Sequence, residues 1–215
     1  MTHPAAPSDI VICVATALEG QGLQRQIAGR ALHVLETGVG PVNAAFSLTR
    51  LLVTARPRLV ISCGIGGAYP GSGLEPGDVA CASSETYGDL GAESDEGFLD
   101  MAALGFPVIA GDPPIFNRLP VDVQPIDRAV PFVTVSTCTG HDDVARRLTS
   151  RTGGMVESME GAAIVHVARL AGVPVAELRG ISNPVGRRDR NTWKLREAIE
   201  AMRAVLIEAI ERGRC

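Results

Sequence analysis

The sequence predicts a single-domain α/β protein, with three α/β/α layers around a mixed, mostly parallel sheet. Continuous apolar runs, such as IVICVA at residues 10–15, are typical of strands covered on both faces. Helical patterns alternate with these runs along the chain, which indicates an α/β rather than an all-β protein. A length of 215 residues, 46% of them hydrophobic, fits one domain over residues 1–215 with a sizeable core.

The predicted elements follow one another with short connections. Predicted strands lie at residues 10–15, 31–36, 59–63, 77–82, 132–137 and 173–181, with a short one at residue 156. Predicted helices lie at residues 21–27, 43–55, 140–150, 160–171 and 193–212. We expect the polar, acidic segment 83–97 to form a surface loop or flap. The result is a predicted sheet of six or seven strands, flanked by helices.

The composition argues against several kinds of partner. The net charge is −4 without a basic block, so the footprint of nucleic-acid binding is missing. No run of about 18 apolar residues predicts a membrane span, and residues 1–9 do not predict a signal peptide. The five cysteines lack CxxC spacing and the four histidines are scattered. We therefore expect reduced thiols in a cytoplasmic protein, with no metal and no cofactor.

The segment 155–183 contains the residues with the clearest chemical potential. Glu157 and Glu160 stand at the start of a predicted helix, and Asn183 follows the end of the next predicted strand. Strand ends and helix starts face one crevice in open α/β sheets, where ligands bind. A plain alternative is that the two glutamates favour the positive end of the helix dipole. The apolar neighbours of Glu160 argue against that alternative, because a solvated acid does not need them.

Two glycine turns follow predicted strands. The turn TGVG at residues 37–40 lacks the Lys-Ser/Thr of a phosphate loop and the third glycine of a dinucleotide fingerprint, which favours a structural turn. The turn GIGG at residues 64–67 is more informative. Three glycines in four positions let backbone N–H groups approach a ligand closely, which makes Gly66 and Gly67 candidate binding residues.

Five motifs together carry a family resemblance: TGVG at 37–40, CGIGG at 63–67, GDV at 77–79, SMEGAA at 158–163 and RGISN at 179–183. In this order they resemble the nucleoside phosphorylase and nucleosidase superfamily, and they span nearly the whole chain. Within it the chain is most similar to the futalosine hydrolase branch of menaquinone biosynthesis, because an arginine-rich loop and Trp193 follow RGISN. The resemblance implies a nucleoside phosphorylase-like fold.

The resemblance also implies a reaction, the cleavage of an N-ribosidic bond through an oxocarbenium-like sugar. It implies that Glu160 accepts hydrogen bonds from the ribose hydroxyls, with Met159 packed on the sugar. It assigns to Asn183 the hydrogen bond to N7 of the leaving purine. Glu19, after the first strand, is the candidate general base that holds the attacking water.

The remaining candidates concern substrate binding. Ser158 stands where related nucleosidases have a glutamate, and Glu157 comes one position earlier. The base-lining segment is expected at residues 136–141, which includes Thr139. The resemblance also makes Arg187, Arg188 and Lys194, in and after the arginine-rich loop, candidate partners for the carboxylate of the futalosine benzoate group. A solvated charged loop is the alternative for these residues.

Asn183 predicts the leaving base. Related methylthioadenosine nucleosidases have Asp at this position, whereas the NH₂ group of Asn can serve N7 and the 6-oxo oxygen of hypoxanthine together. A structural amide in the turn before Pro184 is the alternative. The glycine turns lack a preceding arginine, which favours water over phosphate as the nucleophile.

Three functions stay open at this point. The main hypothesis is a futalosine hydrolase that releases hypoxanthine. A 5′-methylthioadenosine/S-adenosylhomocysteine nucleosidase, or another purine nucleoside hydrolase or phosphorylase, is the second. A non-catalytic nucleoside-binding protein of the same fold is the third. The resemblance also implies a homodimer or a higher homo-oligomer.

Overall fold

The computed structural model describes residues 9–23 and 25–215, so the expectation about a signal peptide lies mostly outside the described residues. The strands are β1 (Ile10–Val14), β2 (Gln26–Ile27), β3 (Arg30–Glu36), β4 (Leu59–Ala68), β5 (Val79–Tyr87), β6 (Gly91–Ser94), β7 (Gly97–Asp100), β8 (Arg118–Pro120), β9 (Ala129–Thr134), β10 (Val156–Ser158) and β11 (Val175–Pro184). The helices are α1 (Ala17–Gly20), α2 (Pro41–Leu52), α3 (Met101–Leu104), α4 (Asp142–Thr152), α5 (Gly161–Leu170) and α6 (Leu195–Glu211).

The main sheet of the described chain has nine strands in the order β10-β9-β5-β11-β4-β1-β3-β2, with β8 beside β5. Strands β3, β1, β4 and β11 run parallel to their neighbours in this series, and β5 runs antiparallel to β11. The far end of β4 also pairs with β10, with Gly67 opposite Glu157. Strands β4, β11, β5, β9 and β10 therefore close into a ring, which brings distant parts of the chain together at one end of the sheet.

Helices cover both faces of the sheet, as the three-layer prediction requires. On one face α2 and α5 pack on the sheet through a buried cluster that includes Leu48 and Ile164. On the other face α6 contributes Met202 and Leu206 to a second cluster. Gly180 on β11 allows α6 to approach closely, because a Cβ atom there would overlap the backbone carbonyl of Ala198. The predicted fold class is confirmed.

Three predicted elements differ from the structure. The glycine turn predicted at residues 64–67 is not a turn, because these residues belong to strand β4. The described residues of the segment 21–27 do not form a helix. The short helix α1 comes earlier and β2 follows, because Gly22 has φ +81°, outside the helical region. The segment 83–97 is a surface flap only in its second part, where β6 and β7 form a largely exposed hairpin, since residues 83–87 belong to β5. Polar residues indicated an exposed segment, but Glu85 and Thr86 are buried in the sheet.

The predicted strand count was also too low, since the main sheet has nine strands rather than six or seven. The additional strands β2 and β8 are only two and three residues long, too short to show a periodic pattern in the sequence. Among the described residues, no helix has both the length and the apolar character needed to cross a membrane.

Candidate active site

A cavity of about 320 Å³ opens where β1, β4 and β11 end and α5 begins. It is lined by Ala15, Thr16, Leu18, Glu19, Val39, Ile65, Gly66, Gly67, Cys138, Thr139, Glu157, Ser158, Met159, Glu160, Ser182, Asn183, Arg188, Trp193, Leu195 and Ile199. Ten of the twelve candidate site residues are in this lining, and the exceptions are Arg187 and Lys194. The crevice expected at the strand ends therefore exists, and the long-range pairing of β4 with β10 forms part of its wall.

Glu19 is held rigidly at the cavity floor. Its Oε2 atom accepts hydrogen bonds from the backbone N–H groups of Ala15 and Thr16, both at 3.0 Å. Its Oε1 atom accepts one from the backbone N–H of Ile65 at 3.1 Å. A Cβ atom on Gly64 would overlap Oε1, so a glycine is needed for this contact. Because a carboxylate oxygen has two lone pairs, Oε1 retains one acceptor position for a ligand or water.

Glu160 occupies the N-cap position of α5 and is also buried. Its Oε1 accepts a hydrogen bond from the backbone N–H of Gly40 at 2.9 Å, and its Oε2 lies 3.9 Å from a guanidinium nitrogen of Arg179. Burial raises the pKa of Glu160 above its ordinary value, although Arg179 and the Gly40 amide oppose the shift. The turn at residues 37–40 thus holds this carboxylate in place.

Glu157 is the third carboxylate of the cavity and is fixed by three hydrogen bonds. The phenol of Tyr69 donates to Oε2 at 2.7 Å, and Thr139 donates its backbone N–H to Oε1 at 2.9 Å and its hydroxyl to Oε2 at 2.5 Å. Burial, followed by the charge of Glu157, raises the pKa of Tyr69, which keeps its phenol protonated as a donor. The neighbouring Ser158 hydroxyl accepts from the backbone N–H of Gly161 at 3.4 Å.

Asn183 lines the cavity next to an irregularity of β11. The pairing with β4 shifts register between Ile181 and Asn183, so that Asn183 pairs with Gly67. Its Oδ1 accepts from the hydroxyl of Ser182 at 2.7 Å, and its Nδ2 donates to the carbonyl of Pro184 at 2.9 Å. One Nδ2–H remains for a ligand. The amide thus has the structural bond that the sequence left as an alternative and also a free donor.

The sequence analysis gave no role to Arg179, which lies directly beneath the cavity. It is 1% exposed, and its Nε donates to Glu177 at 2.8 Å while another nitrogen donates to the Ser62 hydroxyl at 3.0 Å. Its third nitrogen approaches both Glu160 and the point above Gly64 where the Glu19 carboxylate lies. An arginine two positions after a glutamate, Glu177, inside a mostly apolar predicted strand was the signal that could have identified it.

Of the three cationic candidates in and after the arginine-rich loop, Arg188 lines the cavity and Arg187 and Lys194 do not. The backbone N–H of Arg187 donates to the carboxylate of Asp142 at 2.7 Å. The guanidinium of Arg188 lies 4.8 Å from the ring centre of Trp193, which is also in the wall. On this side the cavity therefore has a cationic and aromatic wall.

The closed sheet, with carboxylates at its strand ends and an amide at a bulge, defines a pocket suited to a sugar with a polar base. The sequence profile described as "Phosphorylase superfamily" matches residues 13–211, and the chain belongs to this family.

Two curated relatives are similar to this chain over most of its length. The chain is similar to a futalosine hydrolase from Streptomyces coelicolor, with 38% identity over 88% of this chain and 86% of the relative. It is also similar to a futalosine hydrolase from Thermus thermophilus, with 35% identity over 88% of this chain and 86% of the relative.

Solved structures show the same fold. A 5′-methylthioadenosine/S-adenosylhomocysteine nucleosidase from Colwellia psychrerythraea, in complex with adenine, superposes with a TM-score of 0.79 at 17% identity, over 97% of this chain and 96% of that chain. The futalosine hydrolase of Helicobacter pylori gives a TM-score of 0.78 at 15% identity, over 94% of this chain and 97% of that chain.

Proposed function

We propose that this protein hydrolyses the N-ribosidic bond of futalosine and releases hypoxanthine and dehypoxanthine futalosine, a step of menaquinone biosynthesis. The observation that carries this proposal is the arrangement of Glu19, Glu160 and Asn183 around one cavity. The two futalosine hydrolases at 38% and 35% identity support the choice of substrate.

Glu160 is the group proposed to bind the ribose. Its Oε1 has one bond to the Gly40 amide, which leaves acceptor positions on both oxygens for the 2′- and 3′-hydroxyl groups. An ionised carboxylate next to the sugar also stabilises the positive charge that develops when the N-ribosidic bond breaks. Met159, in the cavity wall, supplies an apolar surface for the sugar.

Glu19 is proposed to hold the attacking water and to accept its proton. Three backbone N–H groups fix the carboxylate, so that its free acceptor position points in one direction. A water bound there is oriented before the bond breaks, and such general base assistance contributes about 10²- to 10⁴-fold to rate.

Asn183 is proposed to recognise the leaving base. Its Nδ2–H that is not bonded to Pro184 donates to the purine and stabilises the negative charge that the base gains. Gly67 leaves room for this amide, because a Cβ atom there would lie 3.3 Å from Nδ2. Thr139 lies on the same cavity wall, in the segment expected to line the base.

Water is favoured over phosphate because of the charges around the cavity. Three carboxylates, Glu19, Glu157 and Glu160, line it. The guanidinium of Arg179 beneath them already has carboxylate or hydroxyl partners. A phosphate dianion at the floor would face uncompensated negative charge, whereas a neutral water would not.

The test is the release of base from futalosine, methylthioadenosine and inosine, with and without phosphate, measured by chromatography. We expect hypoxanthine from futalosine at a rate that phosphate does not change. Glu19→Gln should lower kcat at least about 100-fold, whereas Glu75→Gln, an exposed carboxylate far from the cavity, should not. Adenine from methylthioadenosine, with futalosine left intact, would refute the proposal.

Self-association is proposed through an apolar stripe on α2. Val42, Phe46 and Val53 are spaced along one side of the helix and its end, and their exposed fractions are 81%, 62% and 76%. We expect Phe46→Glu to shift sedimentation velocity toward the monomer. Phe106→Glu, at a second exposed phenylalanine, is the control, and an unchanged sedimentation coefficient for Phe46→Glu would reject this interface.

A further inference from the structure

A buried pair of carboxyl groups lies beneath the candidate active site and outside the cavity lining. Glu85 on β5 and Glu177 on β11 are both 0% exposed. A Cβ atom on Gly161, at the start of α5, would overlap Oε1 of Glu85 and both carboxylate oxygens of Glu177. The two side chains therefore converge on one point under the first turn of α5, where a glycine leaves them room.

Each of these two side chains has one oxygen without a partner. Oε2 of Glu85 accepts from the Thr134 hydroxyl at 3.0 Å and from the backbone N–H of Thr86 at 3.1 Å. The Thr134 hydroxyl oxygen accepts from the backbone N–H of Ala162 at 2.7 Å, so its own hydrogen points to Glu85. Within the described residues, Oε1 of Glu85 and Oε2 of Glu177 have no hydrogen-bond partner.

One proton between the two side chains gives both unpartnered oxygens, Oε1 of Glu85 and Oε2 of Glu177, a hydrogen bond. Two buried carboxyl groups this close do not ionise together. Burial, followed by the negative charge of Glu177, raises the pKa of Glu85 well above its ordinary value. Glu177 has a reason to stay ionised, because its Oε1 accepts from Nε of Arg179 at 2.8 Å. The proton therefore belongs on Glu85.

The ionised member of the pair orients the arginine beneath the cavity. The Arg179 nitrogen that does not contact Glu177 or Ser62 lies 3.9 Å from Oε2 of Glu160. The same nitrogen lies 2.6 Å from the position of a Cβ on Gly64, which the Glu19 carboxylate also approaches. If Glu85 were ionised, a fourth carboxylate would compete for this one guanidinium.

We propose that Glu85 and Glu177 are positioning residues, in which protonated Glu85 donates to ionised Glu177 and Glu177 holds Arg179 against the carboxylates of Glu19 and Glu160. This inference rests on the proposed function, because those two carboxylates are the groups assigned to water and ribose. The pair touches neither substrate nor water, and it acts through the guanidinium.

The test compares three neutral replacements and includes a spectroscopic measurement that needs no substrate. Glu85→Gln keeps a neutral donor toward Glu177 and should lower kcat less than about fivefold. Glu177→Gln removes the anion that holds Arg179 and should lower kcat at least about 100-fold with a smaller change in KM. Glu75→Gln is the surface control. Kinetics use whichever nucleoside the base-release assay identifies.

Infrared spectra of the ¹³C-glutamate-labelled protein then locate the proton. We expect the carbonyl band of a protonated carboxylic acid at pH 8, present in the unmodified protein and lost in Glu85→Gln. Absence of that band, or equal losses of kcat in Glu85→Gln and Glu177→Gln, would overturn the proposal even if futalosine is cleaved. If futalosine is not cleaved but the band and the unequal losses are seen, the pair stands and only the substrate assignment falls.

Discussion

Asn183→Asp is the substitution that tests base recognition most directly, because it replaces the NH₂ donor group with an oxygen and changes the size of the side chain very little. In the structure the amide donates one N–H to the carbonyl of Pro184 at 2.9 Å and keeps the other for a ligand. An ionised aspartate has no donor at all. It would place one negative oxygen, at the position of Nδ2, against both the Pro184 carbonyl and the departing purine.

The size of the effect follows from these two contacts. Loss of one preorganised donor to developing negative charge lowers kcat about 10²- to 10³-fold. Protonation of the aspartate returns a single O–H, which can serve Pro184 or the base but not both. We therefore expect Asn183→Asp to lose about 100-fold or more in kcat on futalosine at neutral pH. Acidification should recover only part of the loss.

The assay compares kcat/KM for futalosine with that for its 6-amino analogue, by chromatography of hypoxanthine and adenine. The ratio should fall at least about tenfold in Asn183→Asp, because the 6-oxo group loses its donor while a 6-amino group gains an acceptor. Asn191→Asp, in an exposed turn, controls for the added charge. An unchanged ratio would mean that Asn183 only holds the turn before Pro184.

Three further predictions concern the buried groups. Ribose binding needs ionised Glu160, so kcat/KM should fall as the pH drops through its raised pKa, at a pH above the ordinary range of glutamate. Above the ordinary pKa of glutamate, the folded state keeps a proton on Glu85 that the unfolded chain has lost. The free energy of unfolding should therefore decrease with rising pH until Glu85 ionises, by at most about 1.4 kcal/mol per pH unit. In urea titrations, Glu85→Gln should remove this contribution. Gly180→Ala should destabilise the fold by about 1–3 kcal/mol in the same assay, because its Cβ would overlap the Ala198 carbonyl.

Each of these predictions has its own check. A pH profile of kcat/KM without an acid limb above the glutamate range would contradict the role of Glu160. An equal pH dependence of stability in the unmodified protein and in Glu85→Gln would show that Glu85 does not hold the proton. Gly111→Ala is the control for Gly180→Ala, because its Cβ would meet only the Pro113 carbonyl at an ordinary 3.5 Å. Equal stability of these two variants would mean that α6 can move away without cost.

The parts of the fold that the sequence predicted are those with a long apolar pattern. The apolar runs of β1, β4 and β11, and the periodic pattern of helix α5 before Gly172, each lie within one continuous segment. They can be identified without knowing which distant residues pack against them. The misplaced parts depend on distant neighbours. Glu85 suggested a surface loop, because only the folded chain shows the Thr134 hydroxyl and the Glu177 carboxyl group beside which it is buried.

The candidate site also has a part that local motifs predicted and a part that depends on distant contacts. Motifs placed Glu160 and Asn183 in one crevice, because strand ends and helix starts meet in an α/β sheet. They could not separate Arg187 from Arg188, since adjacent loop residues point in directions that only the folded loop decides. They also gave no role to Arg179, whose significance lies in partners on three other elements: Ser62 on β4, Glu160 at the start of α5, and the Glu19 carboxylate on α1, which approaches the same point above Gly64.

The closed ring of strands has a consequence for how the protein reaches its active form. The bond between Tyr69 and Glu157 joins residues 88 positions apart, and the bond between Gly40 and Glu160 joins residues 120 positions apart. Contacts of such high sequence separation form late, because the loops between them must be ordered first. During refolding, helical signal should return before any nucleoside is cleaved. Catalysis would then report completion of the native topology, and a chain interrupted between β4 and β10 would keep helices without a working cavity.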